Sequence, residues 1–231
     1  MREEKRIYDS MWDNFEQVIK AGTYQTDKLI DSPSDNRRGI TTLSYLRGST
    51  PLTENISNFL NDLKSLEPEQ YYPAISELHV TVLTIITCYE NFHISDSEGQ
   101  DYAEVFKEAV QSVSPFELKF KGVTASPSCI LLQGIMQGES LNELRNSLRT
   151  GLKKSKLQFG KDARYNIATA HSTVVRFKQP LHNANQLFEL LKKYREYNFG
   201  THTVGSVRLV TNDWYLKENN TKLLAEVKLD L

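Results

Sequence analysis

Two short stretches of this chain share a pattern that an all-helical fold has no use for. "LHVTVLTI" (78–85) and "AHSTVVRF" (170–177) each set a histidine and a threonine two residues apart in a run of strand-forming apolar residues. On a pleated strand, residues i and i+2 share a face. His79 and Thr81 therefore point one way and Val80 and Val82 the other, and His171 and Thr173 repeat the arrangement. A core strand gains nothing from an imidazole beside a hydroxyl unless both face something polar. The pattern falls at equivalent places in the two half-chains. That predicts two similar lobes whose marked strands line one shared cleft.

The 231 residues suffice for one large domain or two small lobes with a real core. A net charge of −1 supplies no global basic field, which disfavours long nucleic acid or an anionic membrane and favours a small or short anionic ligand. The two cysteines, Cys88 and Cys129, have no framework spacing and suit a reducing compartment. No apolar run reaches transmembrane length, and "MREEKRIYDS" is too polar for a signal peptide. The expectation is a cytoplasmic protein that binds no membrane and needs no obligate protein partner.

Along the chain, Ile7, Met11, Phe15 and Val18 mark an amphipathic helix within residues 1 to about 30. "DSPSDNRRG" is a loop, and "ITTLSYL" (40–46) is a strand. A helix follows, with Thr50 as N-cap, Pro51 in the first turn and Pro68 beyond the end. After the strand at 78–86 comes a polar excursion at 88–100, then a helix at 101–113 and strands at 116–123 and 129–136. The second half offers a helix at 139–154, a basic loop to about 166, a strand at 169–177 and a helix at about 183–195. "THTVGSVRLVTND" and "KLLAEVKLDL" form a closing hairpin. The class is α/β or α+β: two pseudo-symmetric lobes of mainly antiparallel sheet, outer helices and a central cleft. Residues 1–35 form an N-terminal helical extension, and 36–231 the bilobal domain.

Two imidazoles and two hydroxyls suit phosphoryl chemistry. One neutral imidazole accepts a proton while a charged one donates. Threonine hydroxyls donate hydrogen bonds to phosphoryl oxygens. In-line displacement at a phosphodiester needs base and acid on opposite sides of phosphorus, which two facing strands provide. No metal or other cofactor is called for, since a zinc site wants three or four ligands at recognisable spacing. Cys88 and His93 lack such partners.

The segments His79-Val80-Thr81-Val82 and His171-Ser172-Thr173-Val174, with the helix between them and the closing hairpin, resemble the 2H (two-histidine) phosphoesterase superfamily. Its members include the 2′-5′ RNA ligase-like proteins and cyclic nucleotide phosphodiesterases. The resemblance covers about residues 38 to 231. It implies catalytic His79 and His171, phosphate-binding Thr81 and Thr173, no metal, and a nucleotide or short RNA substrate with a 2′,3′-cyclic phosphate or 2′-5′ linkage. Run in reverse, the same pair would seal an RNA end. Hydrolysis of a cyclic oligonucleotide signal, or a non-catalytic nucleotide-binding module, are the alternatives.

Tyr45 and Trp214 are candidates for stacking on a base, though burial in the core is the commoner fate of such residues. Arg37 and Arg38, just before the first strand, are candidates to reach an anionic ligand. Lys153, Lys154, Lys156, Lys161 and Arg164 form a basic cluster that a helix C-terminus also favours. Arg176 alternates away from His171 and Thr173, which predicts packing against a carboxylate.

Overall fold

The computed structural model describes residues 3–48, 50–160 and 168–230. Among these residues five α-helices and eight strands run in the order α1 (Glu3–Ala21), β1 (Arg38–Tyr45), α2 (Thr50–Leu66), β2 (His79–Tyr89), α3 (Asp96–Val110), β3 (Phe116–Ser126), β4 (Cys129–Met136), α4 (Ser140–Ser155), β5 (Ser172–Arg176), α5 (Ala184–Lys193), β6 (Asn198–Val204), β7 (Ser206–Asn212) and β8 (Lys222–Lys228). Two four-stranded sheets result, one ordered β2-β1-β7-β8 and the other β5-β4-β3-β6. Every pairing is antiparallel, as expected for the α+β class. Each histidine strand lies at the edge of its sheet, and the two edges meet.

The halves match in register. On β2, Leu83 pairs with Thr42 and Thr81 with Leu43, so Val82 is the extra residue of a bulge. On β5, Val175 pairs with Ile130 and Thr173 with Leu131, so Val174 is extra in the same way. A bulge directly after the motif threonine buries two consecutive valine or leucine residues and returns the next residue to the motif face. That next residue is Thr84 in one half and Arg176 in the other.

The boundaries and pairing of the elements differ from the sequence reading in three places. α1 stops at Ala21, because Gly22 takes φ 65° and the Thr23 amide reaches back to the Val18 carbonyl at 3.0 Å. Most of the polar excursion is shorter than 88–100, because Ser95 caps α3 and Glu98 returns a bond to the Ser95 amide at 2.9 Å. "THTVGSVRLVTND" is not one arm of a hairpin. Its first part is β6, the outer strand of the second sheet, and after Gly205 it becomes β7, an inner strand of the first. Only β7 and β8 form the closing hairpin.

One apolar core joins the layers. Phe15 and Ile19 of α1 are buried in it with Phe59, Leu63, Phe106, Leu148 and Phe177. Trp12 stacks on Phe188 of α5 at 5.2 Å, and the segment after α1 is tied to the second sheet by Asp27 N–H donating to the Phe177 carbonyl at 2.7 Å. The strand β4 passes so close to the approach of β5 that a Cβ on Gly134 would lie 1.9 Å from the Ala170 carbonyl oxygen. Gly134→Ala is therefore expected to cost about 1–3 kcal/mol through overpacking. Urea unfolding of the folded variant checks this, and an unchanged midpoint would contradict it.

Candidate active site

His79 opens β2, and His171 immediately precedes β5. His79 Nδ1 lies 2.7 Å from the Glu77 carbonyl oxygen. A carbonyl only accepts, so Nδ1 carries the hydrogen and Nε2 is left for other work. His171 Nδ1 lies 2.9 Å from Thr169 Oγ1, so it too is committed on the inner side. Both rings are half-buried, and so are Thr81 and Thr173, while Val80, Val82 and Val174 are buried. Period-2 alternation thus holds up to each bulge.

Electrostatics bring the two motifs into one neighbourhood. Burial pushes the His171 imidazole down to about 4, and the charges of Arg145, His79 and Arg176 push the same way. His79 is lowered mainly by burial as well, with Arg176 adding to it and the Glu77 carbonyl opposing it. Each imidazole therefore resists becoming a cation in the free protein.

Arg145, on α4, joins the two half-sites directly. It is 1% exposed. Its Nε donates to the Val82 carbonyl at 2.9 Å, and Nη2 donates to the Thr81 carbonyl at 3.3 Å and the Thr169 carbonyl at 2.7 Å. Among the described residues it forms no ion pair, and burial pushes its guanidinium down to about 10. The sequence did carry a signal. Leu141, Leu144, Leu148 and Leu152 mark the apolar face of α4, and Arg145 sits on that face at helical spacing.

Arg176 corrects the expectation from simple alternation. The bulge at Val174 turns it to the His171 and Thr173 face. Its main chain pairs with Tyr71, and its guanidinium lies 5.6 Å from the centre of the Tyr215 ring. Among the described residues it meets no carboxylate as an ion pair.

The remaining candidates divide into two places. Tyr45 stands opposite His79 on the neighbouring strand, with the rings edge to face at 6.3 Å. The guanidinium groups of Arg47 and Arg208 lie 4.4 and 5.5 Å from the Tyr45 ring centre. Tyr45, Arg47, Arg208 and His202 line a cavity of about 340 Å³ at the seam where β6 gives way to β7. Arg37 and Arg38 lie at the other end of β1, where Arg38 pairs with Tyr89. Arg37 forms a two-pronged ion pair with Asp35 at 2.8 and 2.7 Å, donates to the Tyr215 hydroxyl at 3.1 Å and sits 5.6 Å from the exposed Trp214 ring. Arg38 donates to the carbonyls of Asp35 and Arg37. Lys161 and Arg164 of the basic cluster lie outside the described residues. Among the described residues no group of three or more His, Cys, Asp or Glu is placed to hold a metal ion, and no helix is long and apolar enough to cross a membrane.

Residues 52–213 match the 2′-5′ RNA ligase superfamily. With two sheets that each present a His-x-Thr edge strand, the chain belongs to that superfamily, the two-histidine phosphoesterases. Three solved structures share the fold. A phosphoesterase crystal structure is 15% identical, covers 84% of this chain and 99% of its own, and has a TM-score of 0.54. LigT of Escherichia coli complexed with 3′-AMP is 15% identical, with 84% and 99% covered and a TM-score of 0.56. A Thermus thermophilus protein is 16% identical, with 83% and 97% covered and a TM-score of 0.57. No curated protein matches the sequence.

Two outcomes follow from these charges. Arg145→Met leaves the buried Val82 and Thr169 carbonyls without their donor, at about 1–3 kcal/mol each, offset in part by removal of a buried guanidinium. Urea unfolding should show a net loss of about 1–3 kcal/mol, and an NMR titration should show His171 moving up towards its ordinary range as the cation disappears. The second concerns acid. Burial pushes both His171 and His202 down to about 4 in the folded protein, against 6.5 ordinarily. Between those values the unfolded chain binds more protons than the folded one. Stability is therefore complete above about pH 6.5 and declines as pH falls towards 4. Denaturation midpoints across that range test it, and a flat profile contradicts it.

Proposed function

We propose that the protein is a metal-independent phosphodiesterase that hydrolyses a nucleotide 2′,3′-cyclic phosphate or a 2′-5′ linkage, with His79 and His171 as the proton-transfer pair. The observation that carries this reading is the state of the two imidazoles. Each has its Nδ1 engaged by the protein and its Nε2 left over, and each follows the same register beside a half-exposed threonine. The 3′-AMP in the Escherichia coli LigT structure fits a fold that receives nucleotides, and supports the choice of substrate class.

The charges distinguish the partners. His171 feels the charge of Arg145, which His79 does not, and we assign its Nε2 as the base that takes a proton from the attacking water. His79 directs Nδ1–H at a carbonyl, a bond that strengthens when the ring is charged. The arriving phosphodiester, itself an anion, favours protonation of His79, which then delivers the Nε2 proton to the departing ribose oxygen. Water's oxygen bonds to phosphorus as the P–O bond to that ribose oxygen breaks. Thr81 and Thr173 donate to the non-bridging oxygens, and Arg176 supplies a positive charge on the same face.

The test is the pH–rate profile of the wild type beside its variants on one cyclic phosphate, with EDTA present throughout. The kcat/KM profile should rise as His171 gives up its proton at about 4 and fall as His79 gives up its own below the ordinary 6.5, so the optimum lies on the acid side of neutrality. His79→Ala and His171→Ala should each lose about a hundredfold or more in turnover. Thr81→Ala and Thr173→Ala should lose less, with part of the loss in KM. A fully active His171→Ala protein would falsify the paired mechanism.

A further inference from the structure

The cavity of about 340 Å³ at the β6–β7 seam has no part in the proton transfers, yet it shares a wall with His79. That wall is Tyr45, which lines the cavity and stands directly opposite His79. Directly opposed residues of an antiparallel pair project from the same face of their sheet. The register carries this face across the whole sheet: Thr81 pairs with Leu43, Leu43 with Arg208, and Arg208 with Glu226. The face that bears the first motif at one edge therefore bears a guanidinium and a carboxylate at the other. Tyr45 and Leu43 pack with Val210 and Leu216 in a small apolar cluster of their own, separate from the main core, so this face is not the one that the core covers.

Two guanidiniums are fixed on the cavity by the same device. Arg47 donates from Nε to the Ser76 carbonyl at 3.0 Å and lies 4.4 Å from the centre of the Tyr45 ring. Arg208 pairs through Nε with Glu226 at 3.0 Å and lies 5.5 Å from the same centre. A guanidinium carries N–H donors on all three nitrogens, so each of these, tethered through Nε and the ring, keeps both Nη groups for another acceptor. Lys228 lines the same space, and the one carboxylate there, Glu226, is engaged with Arg208. The cavity is thus locally positive in a chain whose net charge is −1. Forked donors held in advance suit an anion with several oxygens, and phosphate is the one that a nucleotide brings.

We propose that this cavity takes a second phosphate of the substrate, the one esterified to the 5′-oxygen of the ribose whose 2′- or 3′-oxygen receives the proton from His79. That ribose lies along Tyr45, with its departing oxygen at His79 and its 5′ end at Arg47 and Arg208. The Tyr45 ring centre is 6.3 Å from the imidazole and closer than that to both guanidiniums, a gap that one sugar spans. A nucleoside cyclic phosphate with a bare 5′-hydroxyl leaves these donors unused. The preferred substrate is therefore 5′-phosphorylated, either a free nucleotide or the end of an RNA chain.

The inference rests on His79 as the acid of the proposed phosphodiesterase, but its first test needs no turnover. Isothermal titration calorimetry on the full chain compares adenosine 3′-monophosphate with adenosine 3′,5′-bisphosphate. Wild type should bind the bisphosphate at least about tenfold more tightly, the gain expected of charge-assisted hydrogen bonds from a preset fork. Arg47→Ala and Arg208→Ala should each remove most of that gain, whereas Thr81→Ala should weaken both ligands and keep their ratio. A dinucleotide ending in a 3′-phosphate presents the 5′-phosphate as a diester. A similar gain with it identifies an RNA end as the ligand, and a gain confined to the bisphosphate identifies a free nucleotide. The same ratio should appear in kcat/KM for adenosine 2′,3′-cyclic phosphate with and without a 5′-phosphate, carried by KM. Should Arg208→Ala fail to fold, Arg47→Ala, at an exposed position, decides. Equal binding of the two ligands by wild type overturns the proposal, as does a gain that survives the arginine substitutions. Hydrolysis without preference leaves the phosphodiesterase standing and removes the subsite. A gain lost as expected in a protein that hydrolyses neither cyclic phosphate leaves the subsite standing and removes the catalytic reading.

Discussion

A guanidinium taken out of water without a carboxylate beside it is expensive, and this protein places one where its two halves meet. Arg145 recovers part of that cost from three main-chain carbonyls: Thr81 and Val82 on one motif strand, and Thr169 just before the other. These oxygens are available because a bulge turns the Val82 region out of regular pairing and because Thr169 precedes the start of β5. Edge strands of separate sheets have no ladder between them to fix their relative position. Here a planar, many-donor side chain does that, in a way that a lysine's single nitrogen would not reproduce. The same charge acts on His171, so the clasp also sets a proton equilibrium.

Near-symmetry followed by a local departure from it gives two equivalent histidines different surroundings. Both motif strands carry the same bulge after the threonine, and both imidazoles turn Nδ1 inward. The partners of Nδ1 differ, however: a carbonyl for His79 and a hydroxyl for His171. The residue returned to the face differs as well, Thr84 in one half and Arg176 in the other. A carbonyl stabilises a charged ring, whereas a nearby guanidinium opposes one. Two copies of one motif can thus sit at different points on the same titration scale.

The His-x-Thr strands, the α+β class and the order of nearly every element were legible because they rest on local periodicity and capping. What escaped depended on neighbours. Arg176 was assigned to the wrong face because strict alternation takes no account of a bulge, which only the pairing with β4 reveals. The boundary of α3 was legible in principle from Ser95 and Glu98, a capping box three residues apart. The division of "THTVGSVRLVTND" between two sheets has no local signature, since both parts read as good strand on either side of Gly205. Arg145 was visible as a charge on an apolar helix face, but its partners are main-chain atoms that no residue type announces.

That division at Gly205 has a consequence for how the molecule is made. The first sheet holds His79 and Thr81, yet β7 and β8, which complete it, come after every strand of the second sheet. While the polypeptide emerges from a ribosome, β1 and β2 are only a two-stranded pair connected through α2, and two strands alone are marginal in water. The second sheet has all four strands once residue 204 is out. The lobe bearing His171 can therefore order first, and the lobe bearing His79 must wait for β7 and β8. Assembly thus runs against the numbering, and a nascent chain short of its last strands carries the sequence of both half-sites but the architecture of only one.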